Sequence, residues 1–274
     1  MSGFASDWLA LREPHDTASR SAGLARRLRR LLDGRPVIHA LDLACGTGAN
    51  ARWLQPRLSR PQHWTLLDSD RALLGQATVP GAQTRSVMQD LTAGFGAIDP
   101  ARFDLITTSA FLDLASERWL QALVAALSET SAALLFALTV DGRIAWQPEH
   151  PDDEALLKAF RRHQRSDKGF GPALGPDAPR AVEQMLGGRG YQVVGERSDW
   201  VLGPGDRDLQ TALAEGQAAA AVNAQASLEG RARAWLECRR GWIDAAESRL
   251  RIGHRDLLAW RPADRSRTAR PRPW

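Results

Sequence analysis

An apolar run, Val37 to Leu43, ends in Ala44-Cys45-Gly46-Thr47-Gly48-Ala49-Asn50, and a helical pattern follows. A buried parallel strand, a turn carrying two glycines and a helix form the unit from which α/β folds build nucleotide sites. Glycine admits unusual backbone angles and close approach to a ligand. The helix start offers N–H groups with no partner inside the helix. The acidic Asp42 lies on the strand, four residues before Gly46.

Further elements follow at an alternating rhythm. Leu24, Leu28, Leu31 and Leu32 form a helical stripe, after a short lead-in that holds Arg12, His15, Asp16 and Arg20. A short helix through Ala51, Trp53, Leu54 and Leu58 is bent at Pro56. Strands are expected at His63–Leu67, Ala82–Met88, Phe103–Thr108 and Ala132–Val140, the last ending in the turn pair Asp141-Gly142. Asp70 and Ser116 are expected helix caps. The second half predicts a helix from Asp152 or Asp153, a Gly/Pro-rich loop over 165–176 and a helix at Ala178–Leu186. A sixth strand at Tyr191–Trp200, helices at 206–222 and 228–250, and a short seventh strand at His254–Trp260 complete the pattern. Strands alternating with helices imply a mostly parallel sheet covered on both faces.

Two cofactor classes fit the glycine turn. Gly46, Gly48 and Ala51 satisfy G-x-G-x-x-G/A, with Asp68 about 20 residues on, as in dinucleotide sites. A pyrophosphate seeks a helix N-terminus, and Asp42 would repel it. The same carboxylate would attract an amino group, directly or through water. A ligand with a ribose and a cationic amino-acid end suits the site better.

At this point Leu41–Asn50 resembles motif I of the class I S-adenosylmethionine-dependent methyltransferases, [LV]-D-[LVI]-[GA]-C-G-T-G. The resemblance implies an α/β three-layer sandwich: a seven-stranded, mostly parallel sheet with its last strand antiparallel, and extra C-terminal helices. It implies S-adenosyl-L-methionine as cofactor. Asp42, Ala44, Cys45, Gly46 and Gly48 then form the turn under the cofactor, Cys45 through its backbone and not its thiol. Asp68, with Ser69 beside it, takes the place that binds the ribose hydroxyls. Asp90 takes the place that meets the adenine amino group, with the Leu91 N–H directed at the ring. Ser109 lies where the chain passes under the cofactor, with Phe111 and Leu112 flanking adenine. The other readings are helix caps for Asp68 and a loop aspartate for Asp90. Arg12 and Arg20 are read as a solvated helix face, with reach to the cofactor carboxylate as the alternative.

The acceptor is less legible. Thr108-Ser-Ala-Phe111 lacks the prolines that mark methylation of base amino groups, and no Pro-Cys pair marks a cytosine nucleophile. A small-molecule acceptor, methylated on oxygen or nitrogen, is therefore expected. Nucleic-acid or protein methylation, or cofactor binding without catalysis, is the alternative. His163 and Asp113 are the candidate catalytic bases, His163 also reading as a core-edge histidine. His150 and His15 come behind them. Asp167, Lys168 and Phe170 in the loop and Arg143 after the fifth strand are the candidate acceptor-binding residues. Trp146 and Trp200 are the tryptophans expected to reach a pocket.

Residues 1–260 are expected to form one unit, with 1–35 as lead-in and 142–190 and 205–250 as substrate-side helical additions. Residues 261–274, with five arginines, read as a solvated basic tail. Basic residues outnumber acidic ones by 36 to 32, which is weak support for a nucleic-acid partner. Two cysteines make no disulfide framework, the histidines show no metal spacing, and no segment reads as a leader or a membrane span. The expected location is cytoplasmic; oligomeric state is not legible.

Overall fold

The computed structural model describes residues 6–262 apart from Phe95 and Ala97. Its sheet grows from β1 (Ile38–Leu43), a nearly fully buried strand. β2 (Gln62–Asp68), β3 (Gln83–Met88), β4 (Leu105–Ser109) and β5 (Ala133–Gln147) run parallel to it, in the order β3-β2-β1-β4-β5. The order reverses between β1 and β4. A crevice at the carboxyl ends of these strands is where doubly wound sheets bind ligands.

Helices cover both faces. Before β1 lie α1 (Ser6–Ser19) and α2 (Ala22–Leu32). α2 buries Leu24, Ala25, Leu28 and Leu32, and Ser21 caps it by accepting from the Leu24 N–H. α3 (Ala49–Leu54) follows the glycine turn and passes into a single 3₁₀ turn at Pro56. Asp70 caps α4 (Arg71–Gln76) and Ser116 caps α5 (Glu117–Ser128), both as expected. Residues after β5 add α6 (Asp153–Gln164), α7 (Ala178–Gly188), α8 (Arg207–Ala224) and α9 (Glu229–Asp244). α6, α8 and α9 share a separate apolar cluster built on Leu156, Leu209, Ala218 and Trp235.

The second half differs from its expected strands. β5 does not stop at Asp141-Gly142. It continues to Gln147 because two irregularities absorb the bends, between Phe136 and Thr139 and between Val140 and Ile144. Leu138 and Gly142 take positive φ there; an Asp-Gly pair inside a ladder makes a bulge, not a turn. The sixth strand splits into β6 (Gln192–Arg197) and β7 (Trp200–Leu202). The last strand, β8 (Arg249–Trp260), has 12 residues and runs antiparallel to β5, β6 and β7. The sheet thus has eight strands where seven were expected, with β8 the reversed one. The 228–250 helix ends early, at Asp244, because β8 claims the following residues.

The lead-in is also corrected: it is α1, a 14-residue helix with Pro14 inside. Polar and ring contacts tie it to the body. Glu13 pairs with Arg52, the Trp53 Nε1–H donates to Thr17 O, the Trp200 Nε1–H donates to Asp16, and Arg12 stacks 5.1 Å from the Trp200 ring centre. The 263–274 stretch of the expected basic tail lies outside the described residues. Among the described residues no helix is long and apolar enough to cross a membrane.

Candidate functional site

A cavity of about 580 Å³ opens at the carboxyl ends of β1, β2 and β4, within the size range of small-molecule sites. The turn after β1 forms its floor. Ala44, Gly46 and Gly48 all take positive φ, at 52°, 54° and 85°. Glycine tolerates this; Ala44 does so with a Cβ. A Cβ on Gly46 would come 3.1 Å from the Leu9 side chain of α1, and one on Gly48 would come 3.3 Å from Thr78 O.

Asp68 closes the turn from the end of β2. One carboxylate oxygen accepts from the Gly46 N–H at 2.8 Å and the other from the Asp70 N–H at 2.9 Å. Each oxygen keeps acceptor capacity for a ligand hydroxyl. Further along, Asp90 uses one oxygen to accept from the Thr92 N–H. Gln89, Asp90 and Leu91 line the wall beside Phe111 and Phe170. Phe111, Trp119 and Phe170 meet edge to face, with ring centres 5.2 to 5.5 Å apart, and the Trp119 Nε1–H donates to Leu91 O. The cavity therefore runs from an aromatic end with an acidic rim, past Asp68, to a polar end at Asn50, Asp16 and Arg12.

Asp42 sits behind that polar end. Its side chain is fully buried, and Oδ1 accepts from the Asn50 Nδ2–H at 2.6 Å. Burial raises its carboxyl to about 7, against the pull of Asn50 and Arg20. Arg20 is itself buried, stacked 4.1 Å from the Trp53 ring centre, and burial lowers its guanidinium to about 10. The solvated reading of Arg12 and Arg20 thus gives way: Arg20 is 6% exposed, and Arg12 lines the cavity with two nitrogens on Asp16. The Cys45 thiol is pushed far up by burial and the nearby carboxylates, so it stays protonated.

The structure brings Ala44, Cys45, Gly46, Asp68, Ser69, Asp90, Leu91, Ser109 and Phe170 around one cavity. Asp42 and Gly48 support it from behind. Asp113 lies beside the lining residue Leu114; its Oδ1 is buried without a partner, and burial raises the carboxyl to about 6. His163 is not part of the lining; burial and Lys168 lower its pKa. Asp167 holds the loop by accepting from the Gly169 and Gly171 N–H groups, and Lys168 donates to Ser166. Neither reaches the cavity wall. Arg143 is engaged by Asp141 and Asp199, which hold its guanidinium above its ordinary pKa. Trp146 lies in the α6–α8–α9 cluster, its Nε1–H on Gln217. Trp200 packs against α1 and against the buried His254, whose pKa burial lowers to about 4.

Leu9, Asp16 and Asn50 were given no place in the site by the sequence reading, and Arg12 only as an alternative. Leu9, Arg12 and Asp16 are spaced i, i+3 and i+7, on one helical face, and that is the signal that could have found them together.

The sequence matches no protein-family model, and no curated protein shows significant similarity to it. Solved structures do resemble it. A cyclopropane-fatty-acyl-phospholipid synthase-like protein from Lactobacillus casei superposes with a TM-score of 0.51 at 15% identity, over 91% of this chain and 99% of that one. A cyclopropane synthase from Mycobacterium tuberculosis gives 0.49 at 13% identity, over 93% and 94%. A methyltransferase from Geobacter sulfurreducens, solved with S-adenosyl-L-homocysteine, gives 0.45 at 17%, over 94% and 99%. At these identities the likeness concerns the fold alone: the chain shares a Rossmann-like α/β fold with the cyclopropane-fatty-acyl-phospholipid synthase-like protein.

Proposed function

We propose that this protein is an S-adenosylmethionine-dependent methyltransferase acting on a small-molecule acceptor at oxygen or nitrogen. One observation carries the reading. The positive-φ turn, Asp68 and Asp90 stand along a single cavity in the order in which an amino-acid end, a ribose and an adenine follow one another in that cofactor. The donor set fits. Asp68 offers two acceptor oxygens to two ribose hydroxyls, Asp90 keeps one oxygen for an exocyclic amine, and Phe111 and Leu91 give an apolar slot for a base.

The bound cofactor would supply an electrophilic methyl group on a sulfonium. The chain's own work is positional: it holds the donor, fixes the acceptor in line and excludes water. α1 contributes to this by bringing Leu9 against Gly46 and Arg12 into the cavity lining. Asp113 is the proposed proton acceptor, favoured over His163 by its place next to the cavity wall and its unpartnered oxygen. Residues 1–260 act as one unit in this reading, with α6, α8 and α9 bracing the α1 side.

Titration calorimetry with S-adenosyl-L-homocysteine and with NAD tests the cofactor class. Binding of the first and not the second is expected; NAD binding alone would sink the proposal. A radiolabelled methyl donor presented with a panel of small hydroxy and amino compounds then tests turnover.

A further inference from the structure

A second cavity, of about 380 Å³, lies apart from the one at the strand ends, and the two share no lining residue. It sits where the bulged extension of β5 and the start of α6 meet α8. Trp146, Ile144, Leu157 and Gln217 line it together with Glu149 and Glu154, and no arginine or lysine among the described residues does.

Gln217 is 5% exposed. It lies on the buried face of α8 between Ala214 and Ala221, whose short side chains leave room around its amide. The Trp146 Nε1–H, which can only donate, gives its hydrogen to Gln217 Oε1 at 3.0 Å. That bond fixes which end of the amide is oxygen and leaves Nε2 uncommitted. Nε2 donates to none of the described residues, yet it is not sealed, and it keeps accessible surface at the cavity. A largely buried amide with an open donor marks a place where a bound group completes the hydrogen bonding. The carboxylates divide in two. Asp153 is spent on Arg239, on the Trp235 Nε1–H and on the His150 N–H. Glu149 and Glu154 are exposed, and neither makes a hydrogen bond or ion pair with a described residue. Two uncommitted carboxylates thus stand at the open side of a cavity that carries an uncommitted donor on its buried side.

We infer that this cavity binds a small organic amine that also carries a neutral oxygen acceptor: a hydroxyl, an ether or an amide carbonyl. The ammonium pairs with Glu149 and Glu154, the oxygen accepts from Gln217 Nε2–H, and the carbon chain lies against Trp146, Ile144 and Leu157. A carboxylate in place of the neutral oxygen would be repelled by the lining carboxylates, with no lining arginine or lysine to offset them. An amine without the oxygen would leave the Nε2 donor unpaired. The site needs no methyl donor, so it stands independently of the function proposed above.

The test is calorimetry on the full chain with linear methoxyalkylamines, from methoxyethylamine to methoxypentylamine. Each is set against the alkylamine in which a methylene replaces the ether oxygen. The best-fitting ether should bind at least about threefold more tightly than its alkylamine, the gain from one neutral hydrogen bond. Gln217→Glu keeps an acceptor for Trp146 and removes the donor, so it should erase that ratio; a role confined to packing would weaken both amines together. Gln217→Met serves if the glutamate variant does not fold. Glu149→Gln combined with Glu154→Gln should weaken both amines by about threefold or more and keep the ratio. Excess S-adenosyl-L-homocysteine should displace neither. The inference is overturned if the alkylamine binds as tightly at every length, if the Gln217 variant keeps the ratio, or if the paired glutamine variant binds both amines as the wild type does. Displacement by S-adenosyl-L-homocysteine, or no binding of any amine, overturns it as well. A protein that shows the ratio but binds no S-adenosyl-L-homocysteine supports this site and removes the methyl-donor reading alone.

Discussion

The Gly46 N–H donates to Asp68 Oδ2 at 2.8 Å, joining the turn after β1 to the end of β2. One carboxylate thus shapes the turn and faces the cavity. Asp68→Ala should weaken S-adenosyl-L-homocysteine by about 100-fold, because it removes charged acceptors for two hydroxyls, each worth about 1.5–3 kcal/mol. Asp68→Asn, which keeps one acceptor, should fall between. Calorimetry checks both.

Ala44 holds φ at 52° with a side chain that penalises it. Ala44→Gly should stabilise the fold by about 1 kcal/mol, since the relief at positive φ exceeds the added chain entropy. Urea unfolding measures it. A lowered midpoint, the effect of the glycine's added chain entropy alone, would show that the turn carries no strain.

Asp42 titrates near 7 where an exposed carboxyl would titrate near 3.8. A cationic ligand end favours its ionised form, so affinity for S-adenosyl-L-homocysteine should rise from pH 6 to pH 8. In the free protein the sign is opposite. Between about 4 and 7 the folded state retains a proton on Asp42 that the unfolded chain releases, so stability falls as pH rises. His254, lowered to about 4, works against this: below 6.5 the unfolded chain takes up a proton that the folded state refuses until about 4, so this contribution falls as pH falls. The difference between wild type and Asp42→Asn isolates the Asp42 contribution in both experiments.

Arg239 is fully buried among Trp146, Trp235 and Trp242, each ring centre 4.9 to 5.4 Å away, and pairs with Asp153. Arg239→Ala removes the guanidinium packing and leaves Asp153 short of a partner. Asp153 is 27% exposed, which softens the penalty to about 3 kcal/mol, the low end for a broken buried pair. Affinity for S-adenosyl-L-homocysteine should hold, because none of these residues lines the cavity at the carboxyl ends of β1, β2 and β4; denaturation and calorimetry on one variant separate the two.

Cys45 lies in the turn with a thiol that burial keeps protonated. Cys45→Ala should retain ligand binding and methyl transfer within about threefold, as expected if only the backbone serves. Alkylation should reach the exposed Cys238 first; loss of activity in step with Cys45 labelling would contradict this.

The local pattern was enough for the glycine turn, for Asp68 and Asp90 at the ends of β2 and β3, and for the caps Asp70 and Ser116, because hydrophobic period and turn chemistry act over a few residues. It also sufficed for the parallel half of the sheet. What it could not show depends on distant pairing. β5 passes straight through Asp141-Gly142 because β8, more than a hundred residues later, supplies the ladder that a bulge needs. α1 joins the cavity because Trp200, Arg52 and Trp53 hold it there. Arg143 is taken up by Asp199, 56 residues away. Asn50 was visible in the same stretch as Asp42, yet only the packing of α3 on β1 and β4 puts its amide in front of that carboxylate. The sequence by itself determined the strand, the glycine turn and the acidic strand ends, because those patterns act over a few residues; the tertiary structure decided what faces the buried Asp42, because Asn50 meets it only once α3 packs on β1.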